Sequence, residues 1–211
     1  MRDRILAGTN VPRQFRTVLL DDYDVKRGEK ETIDALRSWK PTDERTSLLL
    51  WGLPGYGKTM TAAALLNERH ADINPKGPAV TDEVTIALRQ MQCPCYFIQM
   101  AEWVQLHIRQ FSLYEMVKIG AVNSDEWMEI DRFLEDLKNR VQFLVVDDVG
   151  KEHITHSGFA EDTFDLLVRP RHNNGLTTIF TSNLSVRAWS SQYSDSMQSF
   201  VKRSALTVEF H

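Results

Sequence analysis

Ser47-Leu-Leu-Leu-Trp51-Gly52-Leu-Pro-Gly55-Tyr-Gly57-Lys58-Thr59 is the stretch on which the fold turns. Ser47 to Trp51 is a short, continuous apolar run, the pattern of a strand covered on both faces. Gly52 to Thr59 follows and fits G-x-x-x-x-G-K-[ST] in full. Lys58 to Arg69, with Ala-Ala-Ala-Leu-Leu in its middle, is a good helix former. Strand, glycine turn and helix in that order make a phosphate cradle. Glycines let successive backbone N–H groups turn inward, and the helix aims its positive end at the same place. Lys58 then supplies a point charge for β- and γ-phosphates, and Thr59 a hydroxyl ligand for Mg²⁺. Gly52, Pro54, Gly55, Tyr56, Gly57 and Met60 complete the nucleotide-binding set around them.

Outward from the turn, the same alternation repeats. Glu29 to Trp39 reads as a helix stopped by Pro41, and Thr81 to Met91 as a short one. Cys95 to Gln99 reads as a second strand, followed by helices near 101–110 and 124–139. Val141 to Val146 is a third buried strand, then a helix near 159–168 and a fourth strand, Thr177 to Thr181. A Ser-rich helix or loop and a last strand, Leu206 to Phe210, end the chain. Apolar strands alternating with helices predict an α/β domain of three layers around a central five-stranded, mostly parallel sheet. Pro170 is expected to break the helix that precedes the fourth strand. Trp103 and Trp127 read as core anchors on apolar helix stripes, in preference to stacking platforms for bases.

Two further clusters carry chemistry. Asp147 and Asp148 stand at the carboxyl end of the third strand, where ligands bind in open α/β sheets. Asp147 is placed to hold Mg²⁺, directly or through water, and Asp148 to orient or deprotonate an attacking water. Thr181-Ser182-Asn183 closes the fourth strand, and Asn183 is placed to hydrogen-bond both a γ-phosphate and that water.

The chain has 211 residues, 25 Lys+Arg against 29 Asp+Glu, 42% hydrophobic and 26% charged residues, which excludes wholesale disorder. A net charge of −4 argues against coating nucleic acid by bulk charge. No apolar run approaches a bilayer span, and the first residues lack a signal-peptide core, which points to the cytosol and to no membrane partner. Cys93 and Cys95 read as buried thiols, since no further soft ligands stand nearby at metal spacing.

These residues resemble the AAA+ ATPases of the DnaC/DnaI helicase-loader and IstB transposition-helper group. The resemblance runs from about Ala7 to Phe210. It includes Ala7-Gly8, then Val11-Pro12-Arg13-Gln14-Phe15; Gly52 to Thr59; Phe97 to Val104; Val145-Val-Asp-Asp-Val-Gly150; and Thr178-Ile-Phe-Thr-Ser-Asn-Leu184. The Asp-Asp-x-Gly and Thr-Ser-Asn-Leu pair discriminates far better than the glycine turn. The resemblance implies an oligomeric, Mg²⁺-ATP-dependent AAA+ ATPase acting on DNA, best read as a replicative helicase loader of phage or mobile-element type. It implies residues 1–27 as a segment packing near adenine, through Val11, Pro12 and Phe15, and 28–211 as the ATPase domain. It also implies a hexameric replicative helicase as partner, weak single-stranded DNA binding, and self-association into a ring or helix. Arg203, just before the last strand, would be the arginine finger that reaches a neighbour's γ-phosphate, with Arg171 a second candidate. Ser112 to Asn123 sits where the family carries an extra helix facing single-stranded DNA, with Arg109 and Lys118 near phosphates.

The pattern departs in places. Ala71 to Pro94 is longer than in the family, and the chain is expected to lack both a full helical lid and a separate helicase-binding region. An IstB-like helper of a transposase, polymerising on duplex DNA, is the alternative. A small-molecule kinase would need an arginine-rich lid, yet Ser182 to Ser199 holds one arginine, Arg187. A module that binds nucleotide without hydrolysis also fits the cradle. His153 and His156 read as solvated loop residues.

Overall fold

Residues buried on both faces build four of the five strands of the sheet, and the edge strand at the end of the chain alternates between covered and exposed positions. In the computed structural model, which describes residues 9–22, 30–73, 94–151, 158–191 and 193–211, five strands form one sheet. They are β1 (Ser47–Gly52), β2 (Cys95–Gln99), β3 (Phe143–Val149), β4 (Thr177–Ser182) and β5 (Ala205–Phe210). Their order is β2-β3-β4-β1-β5, and every neighbouring pair is parallel. Parallel pairing requires crossovers, and the helices supply them. They are α1 (Lys30–Ser38), α2 (Lys58–Ile73), α3 (Met100–Lys118), α4 (Asp125–Asn139), α5 (Phe159–Asn173) and α6 (Asp195–Ser204). The calls on Ala7, Gly8, the 81–91 helix, Cys93, His153 and His156 lie outside the described residues. Cys95 is buried on β2.

Two hydrophobic clusters flank the sheet and make the outer layers. One face packs Trp103, Leu137, Phe164, Trp189, Val201 and their neighbours from α3 to α6. The other packs Ile33 and Leu36 of α1, the alanine–leucine face of α2, and Val11 and Leu20. The N-terminal segment is tied down by polar contacts as well. Asn67 Nδ2 donates to Phe15 O and Val18 O at 2.9 and 2.8 Å. Leu20 N–H donates to Glu68 Oε1 at 3.0 Å, and Phe97 N–H donates to Thr9 O at 2.8 Å. Thr9 and Asn10 thereby cover the outer edge of β2, where unpaired strand groups are otherwise a liability.

The helices depart from expectation in three places. The separate helix over 112–123 is absent. Ser112 to Lys118 are the last turns of α3. Nothing in 100–119 breaks a helix, and α3 stops only at Gly120 (φ +70). There Gly120 N–H donates to Val117 O and Ala121 N–H to Met116 O, a Schellman ending. Pro170 does not end α5 either, which runs on to Asn173. Its missing N–H would have bonded the carbonyl of Leu166, a residue 53% exposed, so the lost bond falls on the solvent side of the helix. Trp103 is the expected core anchor, fully buried with Nε1–H donating to Thr163 O at 2.9 Å. Trp127 is only half buried and packs on Tyr114 instead.

Arg171 is the largest correction. It is fully buried, so it cannot reach a neighbouring molecule. Its Nε donates to Thr178 Oγ1 at 2.8 Å, and its terminal nitrogens donate to the carbonyls of Leu137, Val141 and Thr177. One guanidinium thus stitches the end of α4 to β4. Burial pulls its pKa down to about 9, which still leaves it charged at neutral pH. Replacing it with Met strands three carbonyls and a hydroxyl. Urea unfolding of Arg171→Met should show a loss on the order of 3 kcal/mol, because each unsatisfied buried acceptor costs about 1–3 kcal/mol. An unchanged midpoint would show that the clamp contributes nothing.

Candidate active site

The glycine turn is built by forced backbone geometry. β1 ends at Gly52 (φ +145), where a Cβ would lie 2.1 Å from the Phe210 carbonyl oxygen, so only glycine fits. The chain then turns through Gly55 and Gly57, and α2 begins at Lys58. Lys58 is 6% exposed, and its ammonium donates to Gly52 O and Leu53 O at 2.8 and 2.7 Å. Burial lowers its pKa, opposed by the charges of Asp148 and Asp147 and assisted by Lys151.

The acidic end of β3 leans on β4. Asp147 is buried, and its Oδ1 accepts from Thr59 Oγ1 at 2.9 Å and Thr181 Oγ1 at 2.6 Å. Burial raises its pKa; the Thr181 and Thr59 hydroxyls work the other way, while the neighbouring Asp148 charge adds to the rise. At Asp148 the ladder between β3 and β4 shifts register, and Asp148 itself adopts φ +61, a left-handed conformation few side chains tolerate. Its N–H donates to Thr181 Oγ1 at 2.8 Å, and its carboxylate pairs with Lys151 Nζ at 2.8 Å. Thr181 is therefore donor to one aspartate and acceptor from the other. Ser182 Oγ donates to Val149 O at 2.7 Å and accepts from Leu184 N–H and Trp189 Nε1–H, which fixes the turn that carries Asn183.

These elements enclose a cavity of about 540 Å³, within the range of small-ligand sites. Phe15, Pro54, Gly55, Gly57, Lys58, Thr59, Met60, Asp148 and Asn183 line it. Gly52 supports the turn from behind, and Asp147 stands beneath Thr59. Tyr56 is 37% exposed and outside the lining. Val11 is corrected from a cavity contact to a core residue, 1% exposed among the side chains below the sheet. Arg203 is exposed on the last turn of α6, away from the lining. Two lining residues, Asp22 and Lys151, escaped sequence reasoning. Lys151 follows the acidic pair by three residues, a spacing that could have flagged it. Asp22 depends on how the N-terminal segment docks, which left no local signal.

A hydroxyl beside a carboxylate could hold a hard cation that keeps its other oxygens from water and a ligand. Among the described residues, no group of three or more His, Cys, Asp or Glu could hold a metal by itself. The two cations expected to lie near DNA phosphates are paired within the chain. Arg109 pairs with Glu126, and Lys118 pairs with Glu115 at 3.3 Å while lying over the Tyr114 ring.

A parallel sheet in the order β2-β3-β4-β1-β5, with its glycine turn after β1 and its acidic pair after β3, defines the AAA+ type of P-loop NTPase fold. Solved structures share it. The structure of DnaI superposes with TM-score 0.61 at 19% identity, over 96% of each chain. The DnaC helicase loader gives 0.59 at 21% identity, over 95% of this chain and 100% of that one. AMPPCP-bound DnaA from Aquifex aeolicus gives 0.58 at 18% identity, over 96% of this chain and 51% of that one. No protein-family model matches the sequence, and no curated protein matches it. No helix among the described residues is long and apolar enough to cross a membrane.

Asp147 carries a measurable cost. Because its pKa is raised on folding, it favours the folded state only while protonated, and that advantage is lost as pH rises above the ordinary value of 3.8 and through the raised one. Asp147→Asn removes the buried charge and can keep both hydroxyl contacts. At pH 7.5 its ligand-free melting temperature should rise by about 2–4 °C, the equivalent of about 1 kcal/mol in a chain of this size. A lower melting temperature would show that the charge is compensated.

Proposed function

We propose that the chain binds Mg²⁺-ATP in this cavity and hydrolyses it as an oligomeric AAA+ switch in DNA replication, acting as a replicative helicase loader. The observation that carries the reading is the convergence of Lys58, Thr59, Asp147, Asp148 and Asn183 at the carboxyl ends of β1, β3 and β4. The inward N–H groups of the glycine turn and the start of α2 bind the phosphates, and Lys58 leaves its two carbonyls to meet them. Thr59 and Asp147 would hold Mg²⁺, which would supply positive charge to offset the negative charge of the triphosphate. Asp148 accepts a proton as the water oxygen bonds to the γ-phosphorus and the bond to the β–γ bridging oxygen breaks, releasing ADP and phosphate. Asn183 orients that water and the γ-phosphate. Phe15 and Met60 form the base end of the cavity, so the segment 1–27 serves the adenine and 28–211 is the ATPase domain.

Arg203 reaches the γ-phosphate of a neighbouring subunit from its exposed helix end, so turnover depends on assembly into a ring or helix. The likeness to DnaI and to the DnaC helicase loader over nearly the whole chain supports a hexameric helicase as partner, with single-stranded DNA bound weakly and not through Arg109 and Lys118.

The test is nucleotide binding and phosphate release by purified variants. Lys58→Ala should abolish binding. Asp148→Asn should keep binding and lower turnover about 100-fold, the scale of a lost general base. Arg203→Ala should bind ATP normally, melt as wild type does and lose turnover by on the order of 1,000-fold. Full turnover in Arg203→Ala sinks the trans contact, and wild-type binding by Lys58→Ala sinks the site. ATP-dependent filaments on duplex DNA would favour the transposition-helper reading instead.

A further inference from the structure

Two ammonium groups line the cavity, Lys58 and Lys151. Lys58 is occupied by the carbonyls of its own turn. Lys151 is occupied by Asp148, the very carboxylate that hydrolysis requires to be available to water. The backbone forces this pairing. Asp148 is left-handed, Gly150 has φ +90, and Lys151 N–H donates to Asp148 O at 3.2 Å, so a tight turn folds the lysine back over the aspartate.

The clasp is also easily opened. The Lys151 side chain is 50% exposed and that of Asp148 35%, and ion pairs so open to water contribute little. A terminal phosphate presents more charge and more acceptor oxygens than one carboxylate, so it competes effectively for the ammonium.

We propose that Lys151 is a second phosphate-binding cation of the site: it clasps Asp148 at 2.8 Å when no nucleotide is bound and passes to the terminal phosphate of a bound nucleoside triphosphate, freeing Asp148 to face the water. No bond is made or broken in the exchange. One ammonium trades a carboxylate for a phosphate oxygen within the same cavity. A diphosphate lacks the group that Lys151 takes, so the exchange reports the state of the nucleotide from within one subunit. This inference rests on the nucleotide reading of the cavity given above.

The experiment compares AMPPNP and ADP, each with Mg²⁺, by calorimetry on the full chain. Lys151→Met should lose about tenfold in affinity for AMPPNP, the scale of one hydrogen bond to a charged group, and change less than about twofold for ADP. Lys151→Arg should recover most of the loss, and both variants should melt as wild type does. Equal losses for both nucleotides, or none for either, would overturn the exchange while leaving the site intact. Failure of wild-type protein to bind either nucleotide would instead remove the nucleotide reading and this inference with it.

Discussion

One carboxylate oxygen holds three elements together. Asp147 Oδ1 takes a hydroxyl from Thr59 at the start of α2 and another from Thr181 at the end of β4, while Asp147 itself ends β3. Burial makes this charge costly, and the two hydroxyls offset part of that cost. The remaining geometry follows from the arrangement. Thr181 points its hydroxyl hydrogen at Asp147, so its lone pairs are free for the Asp148 amide, and that contact braces Asp148 in its left-handed conformation. The register shift between β3 and β4 is the backbone counterpart of the same contact.

The glycine turn and the place of the acidic pair were legible in the sequence because both are set by near neighbours in the chain. A glycine pattern needs only its own neighbours to declare a turn, and an apolar run ending in two aspartates declares where the polar edge of a buried strand lies. Strands β1 to β4 were readable for the same reason, since a strand buried on both faces is a continuous apolar run. Arg171 and Val11 were misread because their surroundings are assembled from distant parts of the chain. An arginine near a helix end looks solvated until α4 and β4 close over it. Val11 looks like a ligand contact until α2 and β2 complete the core beneath the sheet. Pro170 was misjudged because a proline rule ignores which side of the helix loses its donor.

The α3–α4 pair has a surface unlike the rest. Of the ten large hydrophobic side chains exposed among the described residues, seven fall between Ile108 and Met128, including Phe111 at 65% and Ile119 at 78%. The two cations there are already matched by Glu115 and Glu126. Apolar groups with neutralised charges offer little counterion release, which sets this face apart from one that binds a phosphate backbone.

Gly52 has a consequence beyond its own turn. With no room for a single methyl between it and the Phe210 carbonyl, the loop and the final strand share a wall without clearance. Neither can shift sideways without carrying the other. A side chain placed at Gly52 would therefore have to displace the end of β5 along with the glycine turn.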